Sequence, residues 1–386
     1  MTMYLGALLM DLMCFLVFFA ALYGTGGAQM SDAHRAWIGA GMQLTYMPFS
    51  FIVSRILTRR NARLVLLVGT IGATGAGVAA LFCQGFAPLL VLFLAMGMFA
   101  AFFFNSFQTF MRGEAPPGGL NEAVANYTVA WSVGIALGFL LSGSGYSLGP
   151  GALAGMTVAA GIVILLSVFL RRARPHGEAS ADEHVEQGPE GSRPVDSRYV
   201  IVGWIMIFGA CFVQRPIQTF FPAWCREQGI GPFLAALPLF LMMMVQAGFG
   251  FGMKWLRPIL YRRTPLWVVQ LGGAAALAAA WRFPCYGTYV AAFSVAGVYL
   301  GFVYFCAVYY ASNDFAHRSR NVGINEFLVG AGSLAGIFVC ETWTSYASEK
   351  SHLYAACAVG LAVLTVVQVI MAGAGSANRT GVRNRG

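Results

Sequence analysis

Four ionisable side chains lie within long apolar stretches of the sequence: Asp11, Arg215, Glu326 and Glu341. A charged group at membrane depth is costly unless it is paired or faces a water-filled cavity. A carboxylate there can hold a proton or a cation, and a guanidinium can bind a carboxylate or phosphate through paired hydrogen bonds. The residue types therefore favour solute binding and ion coupling. For Glu326, about one turn into its stretch, the structural alternative is to complement a positive helix N-terminus.

Arg215 is followed directly by Pro216, whose missing N–H frees a backbone carbonyl beside the positive charge. This combination suits an anion-binding or gating position. Helical spacing puts Gln218 on the Arg215 side and turns Gln214 about 100° away. We therefore expect only Arg215 and Gln218 to face a cavity together.

The depths of these charges can be estimated from the rise of about 1.5 Å per helical residue, which separates Asp11 from Arg215 by about 14 Å. A direct ion pair between them is therefore not expected, and the structural alternative for Arg215 is a pair with Glu341. Trp131 could stack on a solute or simply pack in the core. Uncharged polar side chains at similar depths complete the candidate set: Gln43, Asn105, Gln108, Asn126 and Gln218.

The composition requires that lipid surround these residues, because 58% of the 386 residues are hydrophobic and only 10% are charged. Backbone polar groups cannot be left unsatisfied in lipid, and the apolar runs lack the alternation of barrel strands, so we predict an all-α integral membrane protein. The ninth of its twelve spans is the weakest. The predicted spans are 4–24, 36–57, 64–83, 87–110, 123–145, 150–170, 199–221, 232–256, 265–281, 287–311, 322–344 and 352–374.

The distribution of basic residues predicts the orientation. Most of the 24 Lys and Arg residues fall in segments on the side of the two termini, including Arg59 and Arg63. By the positive-inside rule, both termini are cytoplasmic and the protein is a multi-pass component of the plasma or inner membrane. The basic loops also account for the net charge of +9, so no nucleic-acid partner is inferred.

Catalytic and cofactor motifs are missing from the sequence. The five histidines fall in loops or at span ends, HExxH does not occur, and the eight cysteines have no CxxC spacing. No glycine-rich loop follows a soluble strand, so the sequence gives no support for nucleotide-driven transport. We therefore expect neither an enzyme nor a metal or other cofactor.

The chain divides into two halves around a charged, Pro-containing segment, 171–198, which we expect to be a disordered cytoplasmic linker. Six spans precede it (1–170), and six follow it together with a short basic tail (199–386). The halves echo each other: RRNARLVLLVG at 59–69 recurs as RRTPLWVVQLG at 262–272, each opening the third span of its half. A pair of glycines in span 5, Gly134 and Gly138, likewise recurs in span 11 as Gly332 and Gly336. Two pseudo-symmetric six-helix bundles are predicted.

These echoes and the basic loop after span 2 resemble the major facilitator superfamily over the whole chain. That family's loop usually reads Gly-x-x-x-Asp-Arg-x-Gly-Arg-Arg, and the best register here covers 54–63. Arg59 and Arg63 match, Thr58 replaces the Asp, and both glycines are absent. In span 4, Phe93 stands where many members have an Arg tied to proton coupling.

The resemblance implies a secondary active transporter in which the two halves rock around a midplane cavity lined by spans 1, 4, 7 and 10. With Arg215, Asp11 and several amides, we expect a small polar organic solute, a proton or sodium ion as coupling partner, and a monomer in the bilayer. Two alternatives stay open. One is an efflux pump for amphipathic compounds, and the other is a transporter-like sensor or assembly protein that does not transport.

Overall fold

The computed structural model describes residues 4–24, 30–58, 61–112, 120–170, 197–256, 259–313, 318–347 and 349–383. Twelve α-helices run through these residues. The first six are α1 (Leu5–Tyr23), α2 (Asp32–Ile56), α3 (Ala62–Phe82), α4 (Phe86–Arg112), α5 (Leu120–Gly145) and α6 (Pro150–Leu170). The second six are α7 (Ser197–Glu227), α8 (Pro232–Gly252), α9 (Arg263–Arg282), α10 (Tyr286–Asn313), α11 (Arg318–Ala347) and α12 (His352–Arg383). Each predicted span corresponds to one helix.

Eleven of the described helices are long and apolar enough to cross a membrane. The ninth span, α9, has 20 residues and the lowest mean hydropathy of the eleven, 1.2, so the expectation that it is the weakest holds among them but not against α2. The exception is α2, which has 25 residues but carries Asp32, Arg35, Gln43 and Arg55. The structure gives a reason for two of these polar residues, since Arg35 and Gln43 are both buried between helices.

The packing of the first six helices recurs in the second six. The pairs α1–α5, α2–α4 and α3–α6 correspond to α7–α11, α8–α10 and α9–α12. This repetition confirms the pseudo-symmetric architecture. Between the halves, α5 packs on α8 and α2 packs on α11. The boundaries at 170 and 199 stay predictions, and residues 171–196 of the expected linker lie outside the described residues.

The repeated glycines are Gly134 and Gly138 on α5 and Gly332 and Gly336 on α11. All four lie where another helix comes close. A Cβ on Gly138 would collide with the carbonyl oxygen of Leu12 on α1, and one on Gly336 would collide with that of Phe212 on α7. Small residues allow helix backbones to approach this closely in lipid. The glycines therefore set the positions of α1 and α7, which carry Asp11 and Arg215.

The end of the bundle opposite the termini, here called the distal end, holds an ionic cluster between the halves. Arg35 of α2 is 2% exposed, and its guanidinium donates to Asp32 of its own helix and to Glu227 of α7, both at 2.6 Å. Lys350 also contacts the Glu227 carboxylate, and the Trp224 indole donates to Asp32 at 3.3 Å. We call Asp32, Arg35, Trp224, Glu227 and Lys350 the distal network.

A second polar contact closes the same end. The Arg226 guanidinium of α7 donates to the Tyr23 carbonyl of α1 at 2.9 Å and to the Tyr146 hydroxyl at 3.0 Å. The Tyr23 hydroxyl in turn donates to the Ile230 carbonyl at 2.8 Å. The first and second halves are thus joined at the distal end by two separate groups of hydrogen bonds.

Candidate functional site

A cavity of about 130 Å³ lies between the two halves. It receives side chains from α1, α2, α4 and α5 of the first half and from α7, α10 and α11 of the second. All four helices that the resemblance implied, the first, fourth, seventh and tenth, line it. Its polar and charged lining residues are Asp11, Gln43, Tyr46, Gln214, Arg215, Asn325 and Glu326, and its aromatic ones include Phe15, Phe104, Tyr127, Trp131 and Tyr304.

A larger groove, about 880 Å³, lies between α9, α11 and α12. Its walls are almost entirely apolar and include Trp281, Phe338 and Trp343. Trp343 is 44% exposed on the side of the bundle. The groove holds none of the charged residues that the sequence singles out, so the interhelical cavity is the better candidate for a polar solute.

Five of the predicted site residues meet in the interhelical cavity: Asp11, Gln43, Trp131, Arg215 and Glu326. They come from five helices and from both halves. Their roles in binding or coupling remain predictions.

Three others, Asn105, Asn126 and Gln218, are not among the cavity-lining residues. The Asn105 amide donates to the Ala101 carbonyl of its own helix at 2.8 Å. Gln108 lies in α4, but its side chain is outside the described part. In the loop motif, Arg59 also falls outside the described residues.

Arg63, the other matching position of the loop motif, is exposed. Its guanidinium donates to the Val168 carbonyl at 3.2 Å, a contact between α3 and α6 within the first half.

The expected pairing of Arg215 and Gln218 toward the cavity was wrong in one respect. The Arg215 guanidinium does donate to the side-chain amide oxygen of Gln218 at 3.4 Å, but Gln218 is fully buried and it is Gln214 that lines the cavity. Gln214 and Arg215, although neighbours on α7, both border the cavity. Gln214 is held there by the Tyr304 hydroxyl, which donates to it at 2.7 Å.

The Arg215 charge lies closer in depth to Asp11 than the backbone spacing suggested. The guanidinium is 5.0 Å from the centre of the Phe15 ring. Phe15 is one turn beyond Asp11, a rise of about 6 Å along α1. The expected separation of about 14 Å compared backbone positions, whereas helical side chains point toward the N-terminus and the arginine is long. Among the described residues, no ion pair within 4.0 Å joins the two.

The alternative partner of Arg215 is also absent among the described ion pairs. The Glu341 carboxylate accepts a hydrogen bond from Ser345 of its own helix at 3.1 Å, on an exposed part of α11. Arg215 therefore interacts with Gln218, with the Phe15 ring and with the charge of Asp11.

The α2–α11 side of the cavity is rich in hydrogen-bond acceptors. The Tyr46 hydroxyl of α2 donates to the Glu326 carboxylate of α11 at 3.4 Å, across the two halves. Gln43 Oε1 and Asn325 Oδ1 are buried and have no hydrogen-bond partner in the described part of the chain. Sequence reasoning did not select Tyr46, Gln214, Asn325 or Tyr304 as site residues. The helical spacing of Tyr46 from Gln43, three residues, is the signal that points to Tyr46.

A known protein family matches most of the sequence, and the helical architecture described above agrees with it. Residues 3–337 match the family model described as Major Facilitator Superfamily. The chain belongs to the major facilitator superfamily. It is therefore a membrane transporter of that family and not an enzyme. At the position where many superfamily members have the coupling Arg, Phe93 is fully buried and packs edge-on against Phe18, with ring centroids 5.8 Å apart.

Solved superfamily structures share the fold. A bacterial homologue of the human lysosomal transporter Spinster, solved in an inward-facing and unoccupied conformation, has a TM-score of 0.67 and 16% identity over 96% of this chain and 93% of that one. The nucleoside transporter NupG has a TM-score of 0.65 and 12% identity, over 96% of this chain and 99% of that one. The human organic anion transporter MFSD10 has a TM-score of 0.65 and 14% identity, over 95% of this chain and 98% of that one. No curated protein matches the chain.

Proposed function

We propose that the protein is a secondary active transporter that moves a small polar organic solute with an acidic group by alternating access. One observation carries the proposal: Arg215 reaches a cavity between the halves that also contains Asp11 and Glu326. A guanidinium has five N–H donors, and its described hydrogen bonds comprise a single long one to Gln218. A carboxylate or phosphate would satisfy the remaining donors in pairs.

Alternating access is supported by the contacts between the halves. The distal network and the Arg226 contacts join the halves at one end, while the cavity lies deeper between them. Breaking these contacts would let the halves rock around the cavity. The bacterial Spinster homologue was solved inward-facing, and a shared fold is compatible with the same state here. We place the distal end outside the cell, with both termini cytoplasmic in a plasma or inner membrane, and the transporter acting as a monomer.

The test is binding and transport by Arg215 variants of the purified protein. Solutes are first selected from anions, zwitterions and amphipathic cations by their effect on its thermal stability, since a ligand of the folded state stabilises it. For a selected acidic solute, Arg215→Lys should weaken binding about 10-fold and Arg215→Gln about 100-fold, because paired charged hydrogen bonds are lost. Arg282→Gln, a change at the exposed end of α9, should bind normally.

The double variant Arg215→Gln with Glu341→Gln separates binding from a structural ion pair. If Arg215 binds solute, the double variant should transport as poorly as Arg215→Gln alone. Full transport by the double variant would contradict the proposal.

Efflux of amphipathic compounds is the second candidate, and the aromatic walls of the cavity favour it. Phe104, Tyr127, Trp131 and Tyr304 offer ring faces to an apolar or cationic body. If only amphipathic cations raise the melting temperature, and they do so equally in Arg215→Gln, then efflux of amphipathic compounds replaces the first proposal. A sensor or assembly protein would bind a solute without moving it into proteoliposomes.

A further inference from the structure

We propose that the solute is a zwitterion, with its acidic group at Arg215 and its ammonium group at an acceptor wall formed by Gln43, Asn325 and Glu326. The inference rests on the proposed function, because it assumes that Arg215 binds the acidic group. It adds a second recognition element, on α2 and α11, to the same cavity. It also adds a requirement for one accompanying cation.

The acceptor wall is assembled from both halves. Tyr46 of α2 donates to Glu326 of α11 at 3.4 Å, which brings the two helices together at the cavity. Gln43 lies one turn before Tyr46 on α2, and Asn325 is next to Glu326 on α11. Gln43, Asn325 and Glu326 all line the cavity. The wall is therefore part of the interface that moves if the halves rock.

Two acceptors of this wall are unsatisfied. Gln43 is 6% exposed and Asn325 is 3% exposed, and the side-chain oxygen of each has no hydrogen-bond partner among the described residues. A buried polar atom without a partner is unusual and is costly to maintain. The missing partner is a donor, which excludes a second carboxylate and favours N–H or O–H groups. An ammonium group supplies three donors and also complements the Glu326 carboxylate.

The charge balance of the cavity favours an ammonium over a hydroxyl. Its charged lining residues are Arg215, Asp11 and Glu326, one positive and two negative when all are ionised. An organic anion would add to the excess of negative charge between the two halves, where a charge is less well solvated than in bulk water. A zwitterion adds none, and a single proton or sodium ion then balances the site. Coupling to one cation follows from the same residues.

The aromatic wall fits the same occupant. The rings of Trp131 and Tyr304 pack edge to face, with their planes at 69° and their centroids 4.7 Å apart. The Tyr304 hydroxyl is already engaged with Gln214 and Cys211. Since both residues line the cavity, the ring surfaces that border it can contact the body of the solute or its ammonium group.

The experiment compares matched probes that share a side chain and differ in whether they carry the ammonium group, the carboxylate or both. L-phenylalanine, 3-phenylpropionate and phenethylamine form one set, and L-leucine, 4-methylpentanoate and isopentylamine form another, tested together with ω-amino acids of increasing length. Thermal stability of the purified protein is measured with each probe. The expected result is that at least one zwitterion raises the melting temperature clearly, whereas its matched anion and amine do so far less.

Substitutions in the acceptor wall then separate the two ends of the solute. Asn325→Leu and Gln43→Leu should weaken binding of the zwitterion about 10-fold and leave weak binding of the matched anion unchanged. Gln368→Leu is the matched control, because Gln368 Oε1 is also buried without a partner but lies on α12, away from the cavity. It should bind the zwitterion normally.

Each outcome decides between the two proposals. Stabilisation by anions alone, lost in Arg215→Gln, overturns the zwitterion and leaves the proposed function standing. Stabilisation by amines alone, unaffected by Arg215→Gln, overturns both. A zwitterion whose binding is insensitive to Asn325→Leu and Gln43→Leu overturns the acceptor wall. If no class of probe raises the melting temperature, the zwitterion proposal is overturned as well.

Discussion

At the scale of single residues, the cavity brings together Asp11 and Glu326, which differ in their hydrogen-bonded contacts. Glu326 accepts a hydrogen bond from Tyr46 in the opposite half. Asp11 is half-buried, and its described partner is the charge of Arg215 rather than a hydrogen-bond donor. A carboxylate that contacts both halves is well placed to sense their relative position. One that faces an arginine is well placed to sense solute bound to that arginine.

The first prediction concerns ion coupling through these two acids. Asp11→Asn and Glu326→Gln remove a carboxylate while keeping its approximate shape. If either acid carries the coupling ion, its variant should lose concentrative uptake into proteoliposomes under an imposed proton or sodium gradient. Exchange of labelled for unlabelled solute should persist, because exchange needs no net movement of the ion.

The control for this prediction is Glu349→Gln, which changes an exposed carboxylate at the distal end. It should accumulate solute as the unchanged protein does. Normal accumulation by both Asp11→Asn and Glu326→Gln would show that coupling occurs elsewhere. Comparing the two gradients identifies the ion.

At the scale of helices, the close approach of α1 to α5 and of α7 to α11 depends on the absence of side chains. Gly134 and Gly332 lie at equivalent places in the two halves, beside Leu8 and Phe208. The Gly134 position also adjoins the Cβ of Asp11. The glycines thus connect helix packing to the position of a candidate coupling residue.

The second prediction is that a methyl group at these contacts destabilises the bundle. In Gly336→Ala the added Cβ would meet the Phe212 carbonyl, and backbone cannot move aside as a flexible side chain can. The expected cost is about 1–3 kcal/mol, with a lower melting temperature and weaker solute binding. Thermal unfolding in detergent measures the first effect and ligand-induced stabilisation the second.

Gly272→Ala in α9 is the matched control, because nothing lies within 4 Å of the added Cβ. It should unfold at the same temperature or slightly higher, since alanine favours the helix. Equal melting temperatures for Gly336→Ala and Gly272→Ala would contradict the packing role of the repeated glycines.

At the scale of the whole molecule, the distal network joins the two halves at one end, and we expect it to hold the cavity closed there. Arg35 is almost fully buried and binds two carboxylates, one from each half. A buried charge that loses one partner is strongly destabilising. The closed distal end should therefore depend on Glu227, which also binds Lys350.

The third prediction is that Glu227→Gln opens the distal end more often. Cys225 lies two residues before Glu227 and is 3% exposed, so it reports opening through its reaction with a membrane-impermeant maleimide. Cys83 and Cys285 are the two cysteines that are not buried, and both are changed to Ser beforehand. A hydrogen bond with Thr288 lowers the pKa of the Cys285 thiol, which would otherwise react first. Labelling of Cys225 should accelerate about 10-fold.

Glu349→Gln serves again as the control, because its carboxylate contacts only His352 among the described ion pairs, at 3.4 Å. In Glu349→Gln, the maleimide should label Cys225 at the same rate as in the protein without this change. An unchanged rate in Glu227→Gln would mean that the distal network does not hold the two halves closed.

The sequence by itself determined the number of helices, their pseudo-symmetric repetition and their membrane character. These follow from local causes, since lipid requires each span to satisfy its own backbone hydrogen bonds and to be apolar along its length. Asp11, Arg215 and Glu326 could also be selected in advance, because a charge within an apolar span is costly wherever the span is packed.

Only the tertiary structure decided which side chains share the cavity. Gln214 rather than Gln218 lines it because α10 places Tyr304 against Gln214, a contact across 90 residues of sequence. Arg35 was expected in a loop segment, yet Glu227, 192 residues away, holds it buried. The directions of side chains around a helix are local, but the partner that each direction meets depends on how the two halves pack together.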